Sequence, residues 1–458
     1  MGLKSIHRGC TLGLLLLLAA FAAPASAGQN QEHPDRFTLK QAYRTALEKN
    51  DQIAVSRQKL EQEQDNIAIA SSNLYPQLSA EAGYTRQKVD DISSGSGAAG
   101  GQLDIFDTPR DYGTLTFKLD QHIYQFGKVW SSRQIAENYF NGSRFRHIRQ
   151  VKEILFNVSI RYYEVLLGRR SIEISENALK RAKEQLEQAK ARFEVGILTR
   201  TDVLRARVQM AQSQEELERA KNQYEIALEN LALELGRDSV PGPIAEPAER
   251  CFGSPAVSEL YQTALEHRQD YRRAREQVQV AEKRVDFEQA DYFPNLSLEG
   301  QYTRTNESAL FYGEREDWEA TLKLSYPLFT GWKTSAEVDQ AKAGLMEARA
   351  ALSRLKKEIR NQVRSVYLDI QTQKKVIEQL EEQVKAARRN YQQVTAQFEQ
   401  GLVTAVDQID AFTALNEAEN RLAQAYYSYQ LDQIRLKLAT GTFQTDLAAK
   451  ELSDDAYE

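Results

Sequence analysis

Four stretches of the chain alternate apolar and polar residues strictly. In 77–86, Leu78, Ala80, Ala82 and Tyr84 fall on one face and Ser79, Glu81, Gly83 and Thr85 on the other; in 114–123, Leu115, Phe117, Leu119 and Ile123 oppose Thr116, Lys118, Asp120 and His122. The pattern returns at 295–304, where Leu296, Leu298 and Tyr302 oppose Ser297, Glu299 and Thr303. It returns once more at 318–328, where Trp318, Ala320, Leu322, Leu324 and Leu328 oppose Glu319, Thr321, Lys323 and Ser325. A period of two predicts β-strands. Strands with charge on one face and apolar side chains on the other suit a wall between lipid and water. An ordinary sheet half-buried in a soluble domain would show the same alternation.

The rest of the pattern is helical. Ile377, Leu380, Val384, Ala387, Tyr391, Val394 and Phe398 follow a three-four spacing, and Leu415, Leu422, Tyr429 and Leu436 recur every seven residues, which is a coiled-coil seam. No proline stands between Pro109 and Pro241 or after Pro327, so the main helix breaker is missing from two long stretches. A helix from about Lys128 to Val195 would be roughly 100 Å long, far beyond a compact domain, and the second runs from about Lys333 to Gln400. They end at Gly196-Ile197-Leu198-Thr199 and Gly401-Leu402-Val403-Thr404. Glycine suits the residue after a helix and threonine the cap before one, so two tight antiparallel helical hairpins are predicted.

These elements occur twice because the chain is a tandem duplication. Thr45-Ala46-Leu47-Glu48 returns as Thr263-Ala264-Leu265-Glu266, and Tyr84-Thr85-Arg86 as Tyr302-Thr303-Arg304. Farther along, Lys152-Glu153-Ile154 returns as Lys357-Glu358-Ile359, and Phe193-Glu194, Gly196, Thr199 and Asp202 as Phe398-Glu399, Gly401, Thr404 and Asp407. The offset changes between about residues 87 and 112, around Ser93-Ser94-Gly95-Ser96-Gly97, which marks an inserted loop in the first copy. The expected organisation is a signal peptide (1–27), a first repeat (28–239), an extended, exposed linker (240–256), a second repeat (257–441) and a C-terminal tail (442–458). Each repeat holds a helix, two strands and a long hairpin.

Composition narrows the setting. Lys4 and Arg8, the apolar run from Thr11 to Ala23, and Ala25-Ser26-Ala27 have the parts of a secretory signal. The formal charge of −6 is mildly acidic and argues against a nucleic-acid partner. Cys251 stands alone after the signal, which excludes an internal disulfide framework. No later run approaches the roughly 18 apolar residues of a spanning helix, so a membrane crossing must use strands. Four strands do not close a barrel. Eight from two chains would leave a filled interior, and twelve from three a pore.

The duplication, the strand entries Tyr75-Pro76 and Phe293-Pro294, and the two Gly-x-x-Thr-x-x-Asp hairpins together resemble a TolC-family outer-membrane factor over essentially the whole mature chain. The resemblance implies an α+β membrane protein. It implies a homotrimer with a twelve-stranded barrel among outer-membrane lipid in a Gram-negative bacterium, continued by a coiled-coil tunnel through the periplasm. It also implies docking to a periplasmic adaptor (membrane fusion protein) and an inner-membrane transporter, as the passive exit duct of a tripartite efflux or type I secretion system. The other reading is a periplasmic structural or adaptor-like coiled coil that never enters the membrane, which would leave four amphipathic strands without a use.

The candidate functional residues lie at the hairpin tips. Thr199 with Asp202 and Thr404 with Asp407 have capping-box spacing, which by itself gives both aspartates a structural role. Asp410 has Arg205 as its counterpart, so capping does not explain it. The resemblance places Asp407 and Asp410 at a periplasmic constriction, where a trimer would gather them into two rings of carboxylates that select cations. The best-known family member has an arginine where this chain has Val403, so a gate salt bridge is expected instead from the first tip, through Asp202, Arg200 and Arg205, with either arginine reaching the second copy's aspartates. A solvated helix surface is the alternative for both arginines. Gly196, Ile197, Leu198 and Thr199 with Gly401, Leu402, Val403 and Thr404 are expected to dock the adaptor, or else to pack against one another. Gly95-Ser96-Gly97-Ala98-Ala99-Gly100 has dinucleotide-binding spacing but lacks the strand and helix that motif requires. His33, His122, His147 and His267 lack metal-ligand spacing. No cofactor and no catalytic constellation is expected.

Overall fold

The computed structural model describes residues 36–87, 110–247, 253, 255–307 and 313–444. The expected signal peptide, the glycine-rich loop, Cys251 and the tail beyond Gln444 lie outside them. Four strands form one antiparallel sheet in the order β1 (Gln77–Gln87), β2 (Arg110–Tyr124), β3 (Asn295–Glu307) and β4 (Gly313–Ser325). The alternation sorts the side chains as its period requires. Leu78, Tyr84, Trp318, Leu322 and Leu324 stand 63–80% exposed on one face. On the other, Lys118 pairs with Glu81 at 2.9 Å and Lys323 with Glu299 at 3.3 Å.

Two details differ from the strict alternation. A register shift between His122 and Tyr124 puts Tyr124, not Ile123, opposite Leu296 at the start of β3. The fourth strand starts before Trp318 and stops at Ser325, because Pro327 has no N–H to give the ladder; Leu328 lies beyond it, 87% exposed.

Each β-hairpin hands over to a very long helix through two consecutive left-handed residues, Phe126 (φ 46°) with Gly127 (φ 82°), and Gly331 (φ 64°) with Trp332 (φ 66°). The strained aromatics are steadied by neighbours. Phe126 stacks on Phe293 with centroids 4.8 Å apart, and Trp332 meets Phe329 edge-on at 5.9 Å. Beyond them run α3 (Lys128–Glu194) and α7 (Lys333–Glu399), 67 residues each, and the returning α4 (Arg200–Glu234) and α8 (Ala405–Ala439), 35 residues each. At 1.5 Å per residue the long members span roughly 100 Å.

The leading helix of each repeat is in fact two: α1 (Leu39–Lys49) and α2 (Asp51–Ser72) in the first copy, α5 (Val257–His267) and α6 (Gln269–Gln289) in the second. The break serves the returning helix of the same repeat. Asn50 caps α2 and gives its Nδ2–H to the Glu234 carbonyl at the end of α4 (2.8 Å); Arg268, at the matching break, gives its guanidinium to the Ala439 carbonyl at the end of α8 (3.0 Å). Gly236 and Gly441 let the backbones meet there. A Cβ on Gly236 would stand 2.3 Å from the Lys49 oxygen, and one on Gly441 2.7 Å from the His267 oxygen.

The largest core surrounds the first of these joints and corrects two expectations. The linker is not wholly exposed: Ile244 pairs with Phe37 in a parallel bridge and is 3% exposed, because the Tyr162 hydroxyl donates to the Phe37 and Ala245 carbonyls and holds both segments against α3. The second repeat also reaches past 441. Phe443 is 2% exposed and meets Tyr43 edge-on at 5.9 Å, which ties the end of the second copy to the start of the first.

Gly441→Ala should therefore unfold earlier in urea than the unmodified protein, by at least about 2 kcal/mol, since it adds a left-handed side chain to a backbone contact. An unchanged midpoint would show that the joint is loose.

Candidate functional site: the hairpin tips

Both tips are built from the same local chemistry. After α3, the Gly196 N–H returns to the Phe193 carbonyl and the Ile197 N–H to that of Arg192 (both 2.9 Å); after α7, Gly401 returns to Phe398 and Leu402 to Gln397 (both 3.0 Å). With Gly196 at φ 78° and Gly401 at φ 75°, these are Schellman turns. The next helix starts on a complete capping box. Thr199 Oγ1 donates to Asp202 at 2.7 Å and Thr404 Oγ1 to Asp407 at 2.6 Å, while each aspartate N–H returns to its threonine at 3.3 Å. Short aspartate side chains thus fill the usual glutamate place.

The threonine hydroxyls hold both carboxyls below their ordinary pKa of 3.8, so the caps are complete above that value and are lost as pH falls through the lower folded value. Asp410 stands one turn farther along α8, exposed and without a hydrogen-bond or ion-pair partner among the described residues. Its carboxylate is not needed to cap the helix. Ile197 and Leu402 are 66% and 69% exposed, whereas Leu198 and Val403 are half-buried. On the first tip Val195, 70% exposed, adds to this apolar surface.

The two tips are not equivalent. Arg192, near the end of α3, donates to the Phe398 carbonyl at 2.6 Å and the Glu399 carbonyl at 2.9 Å, and its guanidinium lies 5.0 Å from the centre of the Phe398 ring. A cation on the last carbonyls of α7 satisfies groups that the helix itself leaves open and complements its dipole. Phe398 is 3% exposed under it; its counterpart Phe193 is 45% exposed. The same stripe of α3 continues away from the tip. Gln185 donates to the Tyr391 hydroxyl at 3.2 Å, and Arg181 donates to Asn416 at 2.6 Å and lies 3.4 Å from Glu419, which Arg388 also reaches at 2.8 Å. The first hairpin is bound to the second along this stripe.

The sequence features of the family described as "outer membrane efflux protein" match residues 42–237 and 260–442. The chain belongs to that family. The two matched stretches fall on the two repeats. Outer membrane protein TolC of Vibrio cholerae is 25% identical over 415 residues, 88% of this chain and 90% of its own. Alkaline protease secretion protein AprF of Pseudomonas aeruginosa is 27% identical over 415 residues, 88% and 84% of the two chains. Among solved structures, CusC superposes with a TM-score of 0.76 at 17% identity, over 92% of this chain and 99% of its own. The open-state MtrE channel of Neisseria gonorrhoeae gives 0.70 at 20% identity, over 89% and 90%. The fold is thus that of these channels, and the chain is an outer-membrane protein of the Gram-negative envelope.

The gate salt bridge expected from Arg200 and Arg205 is not formed within the chain. Both lie on α4, which meets α8 less extensively than α3 does, and the charge of Arg205 acts on Asp202 of its own helix. Arg192 makes the link instead. A signal for it was present: its counterpart is Gln397, so the copies differ in charge there, as they do at Arg205 and Asp410.

Replacing Arg192 by Gln should speed amide exchange at Gly401 and Leu402 about fivefold, the loss of roughly 1 kcal/mol from a helix end. Exchange at Gly196 and Ile197 should stay unchanged. Equal acceleration at both tips would mean that Arg192 supports the fold generally and not the second tip.

Proposed function

We propose that three copies of this efflux protein close into a twelve-stranded barrel in the outer membrane and a helical tunnel below it, forming a passive exit duct. The carrying observation is the sheet itself: one face is bare and apolar, and among the described residues the outer edges of β1 and β4 have no strand partner. Edge-to-edge pairing of β4 with β1 of the next copy supplies the missing backbone bonds. Among the described residues no helix is long and apolar enough to cross a membrane, which leaves the strands. The names of relatives point to two kinds of traffic, toluene or antibiotic efflux and protease secretion. Both fit a conduit that takes its energy and cargo choice from a periplasmic adaptor and an inner-membrane transporter.

At the periplasmic end, Asp407 and Asp410 form the constriction. Threefold symmetry makes each a ring of carboxylates, of which Asp407 is anchored by its cap and Asp410 is free to turn to the axis. The detergent-extracted complex should weigh three chains and, in a planar bilayer, prefer cations. Asp410→Asn alone should remove most of that preference and the block by trivalent cations, with helix content unchanged. A dimer, or a variant with undiminished selectivity, would place the constriction elsewhere.

Ile197 and Leu402 offer the adaptor's helical hairpin its apolar contact, six side chains around the mouth of the trimer. Glutamate at both positions should stop export in cells while the purified channel conducts normally. Unimpaired export would show that docking uses other surface.

A further inference from the structure

The joint at the end of α8 contains a buried cation without a full set of partners. Lys152 of α3 is 3% exposed, and its ammonium donates to the Gly441 carbonyl at 2.7 Å. That is the one hydrogen bond it makes among the described residues, and an ammonium has three N–H groups. It faces a cavity of about 250 Å³ whose wall carries four cations, Arg149, Lys152, Arg268 and Arg435, against two carboxylates, Glu153 and Asp270.

Each nearby acid already belongs to an arginine. Glu153 is 2.7 Å from Arg149, Asp270 is 2.6 Å from Arg268 and 3.3 Å from Arg149, and Asp432 is 2.7 Å from Arg435. From α6, Arg272 adds another positive charge, while α7 contributes the uncharged Gln362 and Val366. An isolated buried ammonium is costly unless an anion sits beside it. Among the described residues no carboxylate pairs with Lys152; Glu153 and Asp270 line the same cavity but are held by arginines. Lys357, the same residue in the second copy, is exposed and has no such need.

We propose that this cavity binds one compact oxyanion per chain, of the sulfate or inorganic phosphate class, with Lys152 as its principal ligand. The donors suit that class: an ammonium with two free N–H groups among guanidiniums and the Gln362 amide recognises several oxygens at once. The volume admits a tetrahedral oxyanion and a few waters. Bound there, the anion ties α3, the α5–α6 break and α8 into one unit at the point where the second repeat closes. Burial, and Arg272 beside it, hold the Lys152 pKa down at about 8, so the site is charged at neutral pH and loses its ligand charge as pH rises.

Sulfate is the suitable probe because its charge does not change between pH 7 and 9. Equilibrium dialysis of the intact detergent-solubilised protein with labelled sulfate, at constant ionic strength in chloride, should show saturable binding of one sulfate per chain, with inorganic phosphate competing. Lys152→Met should weaken it at least tenfold, and Lys357→Met should leave it unchanged. Binding by the unmodified protein should weaken about tenfold from pH 7 to 9, following deprotonation of Lys152 at about 8. This pH series decides the matter even if Lys152→Met fails to assemble. Unsaturable binding, binding that survives Lys152→Met, or binding indifferent to pH would each overturn the proposal.

Discussion

A strand edge inside hydrocarbon has nowhere to send its N–H and C=O groups, and this protein's sheet has two such edges. That constraint governs the rest. In the proposed trimer the edges close with other copies, every element repeats about the common axis, and the long helices that leave the sheet inherit the same circle. The apolar face of the strands, a liability in a soluble protein, would become the surface that keeps the proposed assembly in lipid. The left-handed pairs at Phe126–Gly127 and Gly331–Trp332 mark where the sheet gives way to the long helices.

Below the sheet, stability is spread thinly along narrow coiled-coil seams and concentrated at the two joints where returning helices meet broken leading ones. The hairpin ends hold together by local bonds, Schellman turns and capping boxes, that survive rigid-body movement of the hairpin. What relates one hairpin to the other is different in kind. It is a row of polar contacts from α3, ending in Arg192, laid along a small apolar patch in which Ala178 and Ala182 cover Phe412.

Period carried most of what was legible in the sequence. A two-residue alternation fixes a face, a glycine followed by threonine and aspartate fixes a turn, and both act over a few residues. The strands, the long helices and the capping roles of Asp202 and Asp407 were readable for that reason. The helix breaks at Asn50 and Arg268, the seating of Ile244 on Phe37, and the Arg192 link join residues more than 150 positions apart, and no local pattern announces them. The β2 bulge was hidden by the very regularity of the alternation, since Ile123 and Tyr124 are equally acceptable facing lipid. Comparing the two copies residue by residue recovers part of the rest: where they disagree in charge, as at Arg192 and Gln397, the chain has given one of them a separate task.

The duplication never separated into two genes' worth of subunit, and its halves have been free to diverge. A ring of six identical hairpins would have to dilate in concert, every contact yielding at once. In the proposed trimer two kinds of hairpin alternate around the axis, and only the hairpins of one kind need to move for the end to widen. Fusing two unlike copies into one polypeptide would give such a ring a frame as well as moving parts.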